Sequence, residues 1–190
     1  WAMTEDALDW VELSRWVLSV SAAGRVAELA IVDQEMDVTM YRLAMIEPTG
    51  TNIVPKREDM QEMWQKRISH EGGWFIADSS IWSERSLGFD HLSGRMLRQD
   101  EADWIDGVEN RTTSLFDDLL QRGLIMRPGF KYGCRWRIYE DWIENSHAPW
   151  LLQMVDEVSG DWQGISLCVR LAEGVSKRWV CAMDGDDHTW

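Results

Sequence analysis

The sequence predicts a mixed α/β (α+β) chain: a small mixed sheet with packed helices in the carboxyl-terminal third, preceded by a smaller α+β domain. Three observations predict it. Gly129 to Tyr139 alternates with period two, Trp150 to Val155 is a short apolar run, and Ile165, Cys168, Val169, Ala172 and Val175 keep helical spacing up to about Lys177. With 190 residues, 45% hydrophobic and 11% aromatic, the chain can bury a core in one or two small domains. That excludes a disordered tail, a collagen-like repeat and a coiled coil.

Taken in order, the first fifty residues read as a helix, a strand, a turn and a strand. Glu58 to Ser69 is a helix candidate, Trp74 to Ala77 is strand-like, and the rest of residues 70–111 is too weakly patterned to assign. Ser114 with Asp117 three residues later resembles a capped helix start, and Gly123 suits its end, which gives a helix over Thr113–Arg122. In the alternating segment, Phe130, Tyr132, Cys134, Trp136 and Ile138 share one face of a strand or hairpin, and Lys131, Arg135, Arg137 and Tyr139 share the other. Asp141 to Ser146 is polar loop, so His147 falls in a loop just before the strand at Trp150. Arg178 to Met183 then reads as a strand, Asp184-Gly185-Asp186-Asp187 as its turn, and His188 to Trp190 as a returning strand.

The amino-terminal elements repeat this ending. Arg15 to Ser21 sits like Arg170 to Ser176, and Ala30 to Thr39 sits like Ala182 to Thr189, with Ala22 where the later copy has Lys177. A chain that starts at Trp1 and ends at Trp190, within a hairpin, is read as a fragment of a longer protein.

The net charge is −14, which argues against nonspecific nucleic-acid binding. Residues 1–125 carry −11, however, whereas residues 126–183 are neutral and group their cations at Arg127, Lys131, Arg135 and Arg137, then at Arg170, Lys177 and Arg178. Such clustering points to an anionic ligand. No apolar run approaches the ~18–20 residues that cross a bilayer, and residues 1–6 lack the basic and apolar regions of a signal peptide. Cys134, Cys168 and Cys181 are odd in number with no C-x-x-C spacing, so neither a disulfide framework nor a zinc site is expected, and a reducing cytoplasm fits. The thirteen tryptophans have no functional reading beyond core and interface mass.

Tyr139, His147 and Lys177, with Arg170 as a further cation, supply the groups that metal-free phosphodiester cleavage needs: a base for an attacking 2′-hydroxyl, an acid for the departing 5′-oxygen and a cation for charge on phosphorus. Histidine, with a pKa near ~6.5, serves either proton role; tyrosine, near ~10, serves as a base where cations favour the phenolate. Each residue also has an ordinary reading. A tyrosine ending a strand packs, a loop histidine caps, and Arg170-Glu173-Lys177 forms a solvated stripe.

Five ordered blocks decide between these readings: Leu120 to Ile125, Pro128 to Gly133, Arg135 to Tyr139, His147 to Leu152, and Val169 to Arg178. Together they resemble the catalytic domain of archaeal tRNA-splicing endonucleases (tRNA-intron lyases). The resemblance is strong over residues 115–190, moderate over 14–46 and poor over 58–110. It implies a restriction-endonuclease-like fold with Tyr139, His147 and Lys177 as the catalytic residues and Arg170 as a cation that pinches a bulged base. Arg135 and Arg137 become substrate-binding cations, and Asp184, Asp186 and Asp187 an acidic turn that docks on a partner. It further implies a fused chain whose first repeat has lost its catalytic residues, as Ala22 suggests, with residues 1–46 the remnant of that repeat. Residues 47–57 would be a linker, 58–125 the amino-terminal-type domain of the second repeat, and 126–190 the catalytic domain, cut at its last strand.

The expected substrate is precursor tRNA with a bulge-helix-bulge, and the expected assembly is a homodimer of the full-length fused chain. No cofactor, metal or membrane is called for. The family's second base-pinching arginine lies beyond Trp190, Trp150 stands where tyrosine is usual, and the acidity is unusual for an RNA enzyme and suits a high-salt cytoplasm. Two rivals remain at this point. One is a noncatalytic structural subunit of the same assembly. The other is a metal-dependent restriction-like DNA nuclease, for which Asp156, Glu157 and Asp161 fall in an apparent loop.

Overall fold

The computed structural model describes residues 1–77, 82, 84–92 and 94–183. In chain order the elements are β1 (Ala2–Met3), α1 (Trp10–Ala22), β2 (Ala27–Val32), β3 (Val38–Leu43), α2 (Arg57–Trp64), β4 (Ile68–His70), β5 (Gly73–Ile76), β6 (Phe89–His91) and β7 (Gly94–Leu97). They continue with α3 (Gln99–Asp106), α4 (Arg111–Gln121), β8 (Ile125–Pro128), β9 (Trp136–Tyr139), β10 (Trp150–Met154), α5 (Trp162–Glu173) and β11 (Arg178–Ala182). The mixed α+β class expected from the sequence is what the chain adopts. By compactness it divides into two units, Trp1–Glu47 with Arg127–Ile138 and Ala148–Trp190, and Pro48–Met126 with Tyr139–His147.

The first unit is built on two parallel strand pairs, each joined by a helix, as a parallel pair requires. β1 lies parallel to β2 across α1, and β10 lies parallel to β11 across α5, with Trp150 opposite Arg178 and Met154 opposite Ala182. β3 adds antiparallel to β2, and β9 adds antiparallel to β10 in a four-stranded sheet of order β11-β10-β9-β8. Each half thus contains a strand-helix-strand arrangement; the returning strand expected over His188 to Trp190 lies outside the described residues. Asp9 and Asp161 cap α1 and α5 by accepting from the Glu12 and Gly164 amides. Ile31, Trp162 and Ile165 form a buried cluster flanked by Leu8, Trp10, Leu13 and Trp179, and Cys134, Leu151 and Ala172 form another.

The second unit carries an antiparallel sheet of order β4-β5-β7-β6 and the helices α2, α3 and α4. Its core includes Met60, Trp64, Ala102, Trp104, Leu115, Phe116, Leu119 and Leu120. Two of its buried tryptophans have their indole N–H groups paired: Trp64 donates to Asp106 and Trp104 to Asp117. Arg67 stacks over Trp64 and Trp74 at 4.4 and 5.1 Å. Gly50 to Asn52 is laced into this unit: the amides of Gly50, Thr51 and Asn52 donate to the carbonyls of Arg122, Glu140 and Gly123.

Several expected boundaries move. α4 starts at Arg111 because Asn110, and not Ser114, is the cap, accepting from the Thr113 amide and hydroxyl. The helix expected over Glu58–Ser69 stops at Trp64, since Ile68–His70 pairs with Gly73–Phe75 in a hairpin turned by Gly72 at φ +89°. The strand-like Trp74–Ala77 is found as β5, Gly73–Ile76, and the rest of residues 70–111, unassigned from sequence, holds β6, β7 and α3, in which strands of three or four residues are too short to show a period. The alternating run is a strand only over Trp136–Tyr139; Phe130–Tyr132 is a 3-10 turn between Gly129 and Gly133. α5 ends at Glu173, so Lys177 does not extend the helical stripe of Arg170 and Glu173.

Candidate active site

Tyr139 ends β9 and belongs to the second unit, where its residue is buried. The carbonyl of Glu140, next in the chain, accepts from the Thr51 amide at 2.8 Å, which pins the backbone immediately after the tyrosine. The loop that follows is ordered locally: Asp141 accepts from the Trp142 amide, the Asn145 amide donates to the Trp142 carbonyl, and the Ser146 hydroxyl donates to the carbonyls of Asp141 and Trp142. His147 ends that loop with its ring exposed.

Lys177 and Arg170 belong to the first unit. After Glu173 the chain closes α5 with a left-handed residue, Ser176 at φ +55°. The Ser176 amide donates to the Glu173 carbonyl and the Lys177 amide to the Ala172 carbonyl, the pair of bonds of a Schellman turn. This turn sets Lys177 at the entry to β11. Its Nζ, half-buried, donates to the Ala148 carbonyl at 2.5 Å, and Ala148 is the residue that follows His147 in the chain. The Arg178 amide donates to the Pro149 carbonyl, so both sides of the turn into β10 are tied to β11. Lys177 also lines a cavity of about 470 Å³ together with Tyr41, Trp150, Glu173 and Arg178.

Arg170 stands exposed in the last turn of α5, where a cation suits the helix dipole. Arg135 pairs with Glu157 and lies 5.5 Å from the Trp136 ring; Arg137 donates to the Pro128 carbonyl and lies 6.0 Å from the Tyr132 ring. The expected interface residues Asp184, Asp186 and Asp187 lie outside the described residues. Two of the three carboxylates a metal-dependent nuclease would use are engaged otherwise, Glu157 with Arg135 and Asp161 with the Gly164 amide and Ser159 hydroxyl, which holds the Asp161 carboxyl below its usual range. Among the described residues no three His, Cys, Asp or Glu side chains gather as a metal-binding group.

Sequence reasoning did not find the Ala148 carbonyl as the partner of Lys177, nor the hold of Thr51 on Glu140. Both are backbone contacts between distant segments and leave no residue-type signature. The left-handed turn at Ser176 had one available signal, Gly174 and a serine directly after the last periodic residue.

Residues 110–190 match the family model of the tRNA intron endonuclease catalytic C-terminal domain. The chain is similar to a tRNA-splicing endonuclease of Thermoplasma volcanium, 32% identical over 152 residues, covering 78% of this chain and 48% of that protein. Similar proteins of the same description occur in Picrophilus torridus (29% identity over 150 residues, 78% of this chain and 48% of the relative) and Haloferax volcanii (27% over 198 residues, 90% and 58%). The chain spans about half the length of the curated relatives it matches.

Proposed function

We propose that the chain is part of a tRNA-intron endonuclease that cuts precursor tRNA at bulge-helix-bulge splice sites without metal or cofactor. The match over residues 110–190, which contains Tyr139, His147, Arg170 and Lys177, carries this reading. In the reaction, Tyr139 as phenolate takes the proton of the 2′-hydroxyl while that oxygen forms a bond to phosphorus. The bond from phosphorus to the 5′-oxygen breaks, and His147 as imidazolium gives that oxygen its proton. The products are a 2′,3′-cyclic phosphate and a 5′-hydroxyl.

Lys177 stabilises the charge that builds on the phosphoryl oxygens, a role its fixed placement on the Ala148 carbonyl suits, because a donor oriented beforehand needs no reorganisation during the reaction. Arg170 pinches a bulged base, and Arg135 and Arg137 contact the substrate backbone. Recognition by splayed, unstacked bases is how proteins commonly read RNA. Asp184, Asp186 and Asp187 dock on a partner in a homodimer of the full-length fused protein. Residues 1–46 are the remnant of a noncatalytic repeat, residues 47–57 a linker, 58–125 an amino-terminal-type domain and 126–190 the catalytic domain. No helix among the described residues is long and apolar enough to cross a membrane.

The test is incubation with a bulge-helix-bulge RNA in EDTA and analysis of the new ends. Cuts at the bulges leaving cyclic phosphates support the proposal. A folded chain that binds this RNA and leaves it whole would move the protein to a structural subunit, and strict Mg²⁺ dependence would point to the metal-dependent nuclease.

A further inference from the structure

Phe130 sits at the tip of the 3-10 turn before β9 with 92% of its surface exposed. An apolar ring left this open gains nothing for folding, yet the backbone that presents it is tightly built. The amides of Tyr132 and Cys134 donate to the Gly129 carbonyl, the Gly133 amide to the Phe130 carbonyl, and the Gly129 amide to the Arg135 carbonyl. The Arg135 amide then donates to Leu152, which fastens the turn to β10. Glycine is required at both ends: Gly133 holds φ +66°, and a Cβ on Gly129 would stand 2.3 Å from Cys134 Sγ and 2.6 Å from its carbonyl oxygen. The turn is a rigid mount for an aromatic ring.

Its surroundings define the ligand. The segment between Asp118 and Glu140 has no acidic residue of its own in a chain of net charge −14, and it carries Arg127, Lys131, Arg135 and Arg137, of which Arg135 is paired with Glu157. Lys131, exposed beside Phe130, holds its Nζ 5.0 Å from the Tyr132 ring, and Arg137 lies 6.0 Å from the same ring. An exposed aromatic face beside an exposed lysine is a combination that binds single-stranded nucleic acid, the ring stacking on a base and the cation meeting a phosphate. We propose that Phe130 is a stacking platform for one unpaired nucleobase of the RNA, with Lys131 on the adjoining phosphate. This rests on the endonuclease reading for its substrate, but the platform itself can be tested on any single-stranded RNA.

The experiment measures binding of the full chain to two probes, a uridine-rich single-stranded RNA and a bulge-helix-bulge RNA carrying 2-aminopurine at successive unpaired positions, for wild type, Phe130→Ala and Phe130→Tyr. Loss of the ring should weaken binding of both probes roughly 5- to 150-fold. It should also abolish fluorescence quenching at one unpaired position while sparing the others, and Phe130→Tyr should restore both. Thermal unfolding should be unchanged, because the side chain is outside the core. Binding and quenching in Phe130→Ala equal to wild type would overturn the proposal. So would loss in Phe130→Tyr equal to that in Phe130→Ala, or unchanged RNA binding with loss of self-association in sedimentation, which would make the ring a protein contact. Absence of cleavage with retained Phe130-dependent binding of the single strand would sink the endonuclease reading and leave the platform standing.

Discussion

Glu101 has no exposed surface, and its carboxylate is the hub of a network in the second unit. It accepts from the amides of Gly88 and Arg98, both at 2.9 Å, and it faces Arg98 Nη1 at 2.9 Å as an ion pair, off the hydrogen-bond direction. Replacing Glu101 with leucine takes the acceptor from one buried amide, Gly88, at about 1–3 kcal/mol, and from one part-buried amide, Arg98, at less, and removes one of two carboxylates around a guanidinium that is only 14% exposed. Asp100 still pairs with Arg98 at 3.0 Å, which places the total near the lower end of the ~3–5 kcal/mol expected for breaking a buried ion pair. Against a total stability of roughly 5–15 kcal/mol, such a loss is large. Urea unfolding followed by circular dichroism should show a fall of about 3 kcal/mol for Glu101→Leu, and less than that in the Glu101→Leu, Arg98→Met double variant relative to the sum of the single ones. A loss below about 1 kcal/mol would refute the assignment of Glu101 as a buried hub.

Gly50→Ala should destabilise by about 2–3 kcal/mol in the same assay, because the new methyl would stand 2.2 Å from the Gly123 carbonyl oxygen and 2.8 Å from that of Glu140, both backbone atoms. Asn110→Ala should cost about 1 kcal/mol through loss of the α4 cap, and Asn110→Ser should recover most of it. Burial pushes the Cys134 thiol up to about 11, so alkylation of native protein at pH 9 should spare Cys134 and reach it only after unfolding. Its linkage has a definite sign: the unfolded thiol releases its proton near 9.0 while the folded one keeps it, so stability from this group is full below pH 9 and falls as pH rises towards 11. A Cys134→Ala variant should show a flatter decline over that window.

The carboxyl-terminal elements were legible in the sequence because their patterns are long or strongly apolar. Trp150 to Met154 and Arg178 to Ala182 are strands where the apolar runs lie, and α5 carries the periodic residues from Ile165 to Ala172. The order of the blocks also disclosed the family, now matched over residues 110–190. What escaped was set by contacts distant in the chain. Alternation through Phe130 suggested strand, but glycines at 129 and 133 and a close approach to Cys134 fold that stretch into a turn. Ile68 continues a helical pattern yet pairs across Gly72–Gly73, where sheet pairing outweighs local propensity. At the candidate site, residue types named Lys177, but its partner is a backbone carbonyl at Ala148, which any residue could supply.

The proton roles assigned to the candidate site are tested most directly by single-turnover cleavage of a bulge-helix-bulge RNA whose scissile 5′-oxygen is replaced by sulfur, a leaving group that needs no proton. With the natural RNA, His147→Ala should slow cleavage by about 10²- to 10⁴-fold and Lys177→Ala by about 10²- to 10³-fold. With the sulfur substrate, His147→Ala should return close to the wild-type rate while Lys177→Ala stays slow. Cleavage of the natural RNA at the wild-type rate by either variant, or no rescue of His147→Ala by sulfur, would contradict the account.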